Sequence, residues 1–115
     1  MCSSDLTQGG LGTRSVVVAS SEAASHVGRV VTVCGVVVSG NYADTSRGAP
    51  TFLNFDKAYP QQPFMVVIWG THRGKFGTPE RTLVNKRVCA TGRVTVFRGV
   101  AEIEVSNPQL LRVAE

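Results

Sequence analysis

The chain of 115 residues lacks the features that define several large protein classes. It has no apolar run near the roughly 18 residues of a membrane-spanning helix, so a soluble protein without a membrane span is expected. Its three cysteines form no Cys-x-x-Cys pair. Its two histidines, His26 and His72, have no Cys or carboxylate at ligand spacing. No metal site and no cofactor are predicted.

Residues that would mark an enzyme are also lacking. The sequence sets no nucleophile beside a base, and the glycine-rich segment 70–77 lacks the phosphate-loop spacing and the hydroxyl after Lys75. Glu102 and Glu104 share one strand face and could act as an acid–base pair or a weak cation site, yet exposed strands commonly carry such residues. The sequence therefore favours a protein that is not an enzyme.

Cysteine usage leaves two alternatives open. Cys34 and Cys89 are expected at outward positions of two neighbouring strands, where they are either small reduced side chains or an inter-strand disulfide of an oxidising compartment. Val16 to Val18 are too few for the apolar core of a signal sequence. The chain as it stands is expected in the cytoplasm, and in the periplasm or outside the cell if a leader was removed.

The chain does contain a repeated sequence pattern, a valine-rich strand interrupted by one glycine. It occurs at residues 29–38 around Gly35 and at residues 87–97 around Gly92. A glycine inside a β-branched run lets a strand bend sharply, as strands of a small barrel must. The pattern predicts an all-β domain, closed or nearly closed.

The length allows one domain, predicted at residues 20–115 after a flexible arm at residues 1–19 in which Val16 to Val18 could add an edge strand. A short helix is expected at residues 20–27, ended by Gly28. Five strands are predicted at residues 30–39, 51–56, 64–69, 87–97 and 100–105. Between the third and fourth strands, a short helix around Pro79 or an irregular link is expected.

Alternation along the strands predicts which side chains face the core. If Leu53 and Phe55 are buried, then Phe52 and Asn54 point outward. The fourth strand is predicted to bury alternate residues, and the fifth to turn Ile103 and Val105 inward with Glu102 and Glu104 outward. The inward set of the fourth strand is Val88, Ala90, Gly92, Val94 and Val96. The third strand is apolar on both faces, so periodicity does not decide its phase.

Five strands, glycines in the first and fourth, a long first loop and a tight last turn match the OB-fold plan, a five-stranded Greek-key barrel. The sequence also resembles the bacterial OB-fold domains that occur alone or beside thermonuclease-type nuclease domains. The segments that carry this resemblance are residues 31–37, 50–56, 66–70, 87–92 and 103–108.

The resemblance implies binding of nucleic acid, usually single strands, by the outer face of the second and third strands and by two flanking loops. It assigns this role to Phe52 and Asn54 on the second strand. The loop residues that it adds are Tyr42, Arg47, Phe97 and Arg98. No nuclease motif comes with it.

Charge and aromatic residues favour the same role. The net charge is +4, and residues 47–98 contain nine basic side chains against two acidic ones. Trp69 joins Phe52, Phe97 and Tyr42 as a candidate for base stacking. The candidates for phosphate contacts are Arg47, Lys57, Arg73, Lys75 and Arg98.

Two functions are therefore considered. The first is non-catalytic binding of single-stranded DNA or RNA in an aromatic and basic groove, with a nuclease or another protein as an additional partner. The second is an interaction module that docks a protein or a periplasmic ligand on the barrel surface or on a strand edge.

Overall fold

The computed structural model describes residues 16–59 and 61–114, and most of that chain is β-strand. The strands are β1 (Val17–Ala19), β2 (Val30–Tyr42), β3 (Thr51–Phe55), β4 (Phe64–Ile68), β5 (Arg87–Arg93), β6 (Thr95–Phe97), β7 (Val100–Glu104) and β8 (Leu111–Val113). Helical turns are short: α1 (Gly70–Arg73), α2 (Pro79–Thr82) and 3₁₀ helices at Ser20–His26 and Pro108–Leu110. None of the helices in this described part is long and apolar enough to cross a membrane. The predicted all-β class is confirmed.

The eight strands form one sheet in the order β6-β7-β4-β3-β2-β5-β8, with β1 parallel to β2 outside this path. β4 and β7 are parallel, and the other neighbours along the path are antiparallel. β5 and β6 lie near opposite ends of the path, although Val94 alone separates them in the chain. The sheet must therefore curl back towards itself.

The inner face of this curled sheet holds the hydrophobic core. Leu53, Phe55 and Ile103 are fully buried, and Val105 nearly so, which confirms the inward positions predicted for the second and last strands. The rings of Phe55 and Phe64 meet edge to face with centroids 5.0 Å apart. The sequence did not decide which face of the third predicted strand is buried. In the structure, Phe64, Val66 and Ile68 of this strand lie in the core.

The two glycines of the repeated sequence pattern, Gly35 and Gly92, lie where the sheet leaves no room for a side chain. A Cβ at Gly35 would lie 2.9 Å from Oδ2 of Asp56, and a Cβ at Gly92 would lie 2.6 Å from Cγ2 of Ile103. These distances are shorter than ordinary van der Waals contacts, so each glycine permits a close approach between strands. Packing is therefore one reason for both glycines, and the sharp strand bend expected from the sequence stays a prediction.

The prediction of one continuous fourth strand is wrong. The strand ends at Arg93 and resumes as β6, and Val94 leaves the ladder to exchange hydrogen bonds with the chain before β2. Gly28 N donates to the carbonyl of Val94 at 2.8 Å, and Val94 N donates to the carbonyl of Arg29 at 2.9 Å. The alternation continues across the break, since Val94 is buried as predicted and Val96 is the partner of the buried Ala101. Val96, predicted to be buried, is nevertheless 53% exposed, because β6 is the edge strand of the sheet.

Two further strands extend the predicted five. β8 at the C-terminal end pairs with β5 and was not predicted. β1 pairs with β2 in the region where Val16 to Val18 were expected to add an edge strand. Most of the predicted arm, residues 1–15, lies outside the described residues, and the domain boundary at residue 20 stays a prediction.

Cys34 and Cys89 form a disulfide, which resolves the alternatives that the sequence left open. They are direct partners in the β2–β5 ladder, with Cα atoms 4.1 Å apart. Beside them, the hydroxyl groups of Thr32 and Thr91 are 2.8 Å apart on the same outer face. The disulfide joins the two glycine-bearing strands across 55 residues of sequence.

Candidate nucleic-acid interface

The outer face of β2, β3, β4 and β7 forms the floor of a groove. Partners in adjacent strands lie on the same face of a sheet, so the register places two rows of side chains across these strands. The first row is Asn41, Phe52, Val67 and Glu104. The second row, which β6 completes, is Ser39, Asn54, Met65, Glu102 and Thr95.

The groove has two compartments that meet at Phe52, Phe97 and Arg98. The Gln62 compartment has a volume of about 540 Å³. Its other lining residues are Ser39, Gly40, Asn41, Asn54, Ala58, Tyr59, Gln62, Met65 and Val100. The Trp69 compartment has a volume of about 410 Å³. Its other lining residues are Ser46, Arg47, Pro50, Val67, Trp69, Glu102 and Glu104.

A chain of polar side chains crosses the floor of the Gln62 compartment. Asn54 Nδ2 donates to Ser39 Oγ at 3.0 Å, and Gln62 Nε2 donates to Asn54 Oδ1 at 3.1 Å. Asn54 and Gln62 are buried, at 6% and 5% exposure, although both line the groove. The compartment therefore combines buried polar side chains on its floor with three aromatic side chains in its lining, Phe52, Phe97 and the exposed Tyr59.

Trp69 stands at the far end of the groove, directly after β4. Its ring lies against Gly48 of the β2–β3 loop, where an added Cβ would come within 2.9 Å of the indole. Gly70 N also donates to the carbonyl of Gly48 at 2.8 Å, which fixes the loop beside the ring. The side chain remains 37% exposed, so a part of the indole faces the compartment.

Two carboxylates of β7 face the same compartment. Glu102 is only 6% exposed, whereas Glu104 is exposed. Burial raises the pKa of Glu102, and the neighbouring Glu104 raises it further, against the opposing effect of the hydroxyl of Thr95, which donates to Oε2 of Glu102 at 3.2 Å. The sequence correctly predicted that both carboxylates point away from the core, but it did not predict that Glu102 is buried on that outer face.

Arg98 occupies a backbone conformation that disfavours its side chain. It forms a two-residue turn with Gly99 between the paired residues Phe97 and Val100. Both turn residues have positive φ, 54° for Arg98 and 82° for Gly99, as a type I′ turn requires. Asn or Gly is preferred at the first of these positions, so the arginine is accommodated at a conformational cost. Its guanidinium carbon lies 5.1 Å from the centroid of the Phe97 ring.

Six of the ten residues predicted to bind nucleic acid line the groove. They are Arg47, Phe52, Asn54, Trp69, Phe97 and Arg98. The other four, Tyr42, Lys57, Arg73 and Lys75, are not among the residues that line either compartment. The role of all ten in binding stays a prediction.

Arg73 is held in a local network beside the groove. Its guanidinium makes a two-pronged contact with Glu80, with N–O distances of 2.8 and 2.9 Å, and also donates to Thr51 Oγ1 at 2.8 Å. It lies 3.6 Å from the centroid of the Tyr42 ring. The paired hydrogen bonds raise the pKa of Arg73 and lower the pKa of Glu80. Arg73 and Tyr42 thus connect the end of β2 to both short helices.

The two lysines lie outside the groove for different reasons. Lys75 follows α1 and donates from Nζ to the carbonyl of Ser106 at 3.3 Å. Lys57 is exposed in the turn after β3, next to Ala58 of the Gln62 compartment. Of the two, Lys57 is the one whose long side chain starts beside a groove residue.

Sequence reasoning missed several residues of the groove. Met65 and Val67 form part of its floor because the third strand has an apolar outer face, the possibility that its pattern left open. Gln62 and Tyr59 were assigned to a turn, and a turn pattern does not show which of its side chains fold back onto the sheet. Among the described residues, no group of three His, Cys, Asp or Glu side chains could hold a metal ion.

Comparison with known proteins supports the fold. No protein-family model matches the chain, and no curated protein sequence matches it. A crystal structure described as an aspartyl-tRNA synthetase from Leishmania major Friedlin is similar, with a TM-score of 0.60 and 10% identity over 88% of this chain. The chain spans about a fifth, 21%, of that protein. The hypothetical protein ygiW from E. coli has a TM-score of 0.49 and 20% identity, over 93% of this chain and all of that one. Together with the strand order, the first likeness shows an all-β, OB-like fold.

Proposed function

We propose that the protein binds single-stranded nucleic acid, without catalysis, in the groove that runs through its two compartments. The observation that supports this function is the arrangement of three aromatic rings, Phe52, Trp69 and Phe97, along one groove with Arg47 and Arg98. Each base stacked on such a ring contributes roughly 1–3 kcal/mol, largely irrespective of its identity. The bases of a duplex are already stacked and paired, so this stacking energy is available to a single strand and not to a duplex.

The charges of the groove predict modest electrostatic attraction. Its lining contains two arginines and two glutamates, Glu102 and Glu104. Because the pKa of Glu102 is raised, protonation reduces the negative charge more readily than for an exposed glutamate. Two arginine–phosphate contacts on a single strand correspond to a slope of log K against log salt of about −1.4. Binding is therefore expected to depend on salt, but weakly.

The test is a titration of dye-labelled single-stranded oligonucleotides at about 50 and 200 mM salt. Matched arginine variants separate the groove from the rest of the surface: Arg47→Ala and Arg98→Ala remove a groove cation, and Arg112→Ala removes an exposed one from β8. We expect each groove variant to weaken binding and to reduce the salt slope, and Arg112→Ala to change both much less. Equal effects of all three would assign the attraction to overall charge and contradict a groove.

The aromatic part of the proposal has its own pair of variants. Phe52→Ala is expected to weaken binding about 5- to 150-fold, the equivalent of one stacked base, with little change in melting temperature because the ring is only half buried. Val113→Ala, at a 43% exposed apolar residue of β8, serves as the control. A large loss of stability in Phe52→Ala would instead make Phe52 a structural residue.

The finer architecture and the cellular setting belong to the same proposal. A five-stranded OB barrel would consist of β2, β3, β4, β7 and a fifth, bent strand formed by β5 and β6 together. The Cys34–Cys89 disulfide supports an oxidising compartment, the periplasm or the outside of the cell. A nuclease or another protein remains the additional partner that the family resemblance suggests.

A second candidate function, docking of a protein, is favoured by the outer face of β1 and β2. Val17 and Val30 are 66% and 55% exposed there, on the face that carries the Cys34–Cys89 disulfide. A partner recovered by affinity capture, and retained after nuclease treatment, would favour docking over nucleic-acid binding. Loss of that partner in a Val17→Lys variant, with unchanged oligonucleotide binding, would place it on this face.

A further inference from the structure

Glu104 is a carboxylate whose place in the groove is set by the sheet. It is the direct partner of Val67 in the parallel β4–β7 ladder, on the outer face that forms the groove floor. The side chain is exposed and lines the Trp69 compartment. Glu102 lines the same compartment but is 6% exposed and accepts a hydrogen bond from Thr95. Of the two carboxylates, Glu104 is therefore the one that a ligand reaches.

Trp69 lies beside this carboxylate on the same face. It follows Val67 by two residues and has an extended backbone, with φ −70° and ψ 152°, so its side chain continues the outer row of β4. Gly48 lies against Cε3 and Cζ3 of the indole, and the side chain remains 37% exposed. A base that stacks on the uncovered part of the indole can turn its edge towards Glu104.

Electrostatic attraction does not explain a carboxylate at this place. Arg47 and Arg98 line the same compartment, yet among the described residues neither makes an ion pair with Glu104. A negative charge in a groove for a polyanion opposes the binding of every strand equally. A hydrogen bond from a base would offset this cost, but only for a base that carries the right donors.

The hydrogen-bonding character of a carboxylate is fixed. When it is ionised, it accepts on both oxygens and donates on neither, whichever way the side chain is turned. Its complement on a ligand is a pair of adjacent donors. The Watson–Crick edge of guanine has such a pair, N1–H and the N2 amino group, whereas each of the other bases places an acceptor beside its single donor group.

We propose that Glu104 selects guanine, so that the protein prefers strands in which a guanine stacks on Trp69 and donates to this carboxylate from N1–H and the N2 amino group. This inference rests on the proposed binding of single strands. A two-pronged contact with a base edge distinguishes bases by about 5- to 150-fold. We expect a preference of about tenfold over adenine, towards the lower end because Glu104 is exposed to water.

The experiment titrates labelled thymine oligonucleotides of equal length in which every third base is guanine, hypoxanthine or adenine, at neutral pH in a sodium buffer. Isolated guanines avoid the four-stranded structures that runs of guanine form. Hypoxanthine keeps N1–H, O6 and N7 of guanine but lacks the N2 amino group. Glu104→Met removes the acceptor and keeps the length of the side chain. Glu22→Met, the matched control, removes the same charge from an exposed residue that lines neither compartment.

In the wild type and in Glu22→Met, guanine strands are expected to bind about tenfold tighter than adenine strands. They should bind about threefold tighter than hypoxanthine strands, which lose one of the two hydrogen bonds. In Glu104→Met, shown to be folded by its melting curve, the three strands should bind alike, and adenine strands should bind no more weakly than to the wild type.

The comparison of guanine with hypoxanthine separates Glu104 from the arginines of the groove. An arginine that reads O6 and N7 does not distinguish these two bases, so their equal binding to the wild type would overturn this inference alone. A guanine preference that persists in Glu104→Met would do the same. Failure of all three strands to bind would overturn the proposed function as well.

Discussion

Breaking the disulfide is the most direct perturbation of the fold. Cys34 and Cys89 are separated by 55 residues of sequence, so their bond closes a long loop in the unfolded chain. For a loop of that length, the chain-entropy relation gives about 4 kcal/mol of stabilisation. A domain of about 100 residues changes its melting temperature by roughly 4–8 °C per kcal/mol, so we expect reduction to lower it by about 15–30 °C.

The assay is thermal and denaturant unfolding of a Cys2→Ser background, which leaves the disulfide as the one thiol couple, with and without reductant. A Cys34→Ala/Cys89→Ala variant provides a second measurement that reductant cannot affect. Peptide mapping under non-reducing conditions identifies the bonded pair. Oxidised and reduced proteins that melt within about 2 °C of each other would refute the reasoning, because a closed loop of this length must alter the unfolded state.

Three further changes test other parts of the structure. Arg98→Asn should raise the free energy of unfolding by about 1 kcal/mol, because asparagine tolerates the positive φ of 54°. In titrations it should also weaken oligonucleotide binding and reduce the salt slope by about 0.7, and unchanged binding would remove Arg98 from the groove's function. Burial favours the protonated form of Glu102 in the folded state, so its ionisation near pH 7 opposes folding. Glu102→Gln should therefore stabilise the protein at pH 7 in denaturant titrations, with a gain that fades as the pH falls through the raised pKa of Glu102 and is nearly gone at the ordinary glutamate value of about 4.3; the same gain at every pH would contradict this. Gly92→Ala should cost about 1–3 kcal/mol, because its Cβ would lie 2.6 Å from Ile103, whereas Gly74→Ala, with open space around it, should be neutral or slightly stabilising in the same melts.

Alternation and glycine placement carried most of the fold prediction. Residues that alternate strictly, such as Leu53 and Phe55, have one face that must be buried, and their phase follows from the sequence. The interruption of the strand at Val94 could not be seen in the sequence, because it depends on hydrogen bonds to Gly28 and Arg29 far away in the chain.

The site was predictable where a residue type is unusual for its position. An outward-facing phenylalanine on a strand, Phe52, indicated a binding surface, and the structure places this residue at the junction of the two compartments. Arg73 could not be separated from the other cations, since its contact with Glu80 depends on how the short helices fold back. Gln62 could not be found either, because burial of a turn residue is set by tertiary packing.

The position of Trp69 has a practical consequence. It is the single tryptophan of the chain, it is 37% exposed, and it lines one compartment without reaching the other. Its intrinsic fluorescence therefore reports occupancy of its own end of the groove without any added dye. A ligand that fills only the Gln62 end should leave that emission nearly constant, whereas a strand long enough to cover both ends should quench it, so the minimum covered length can be determined by varying the number of nucleotides.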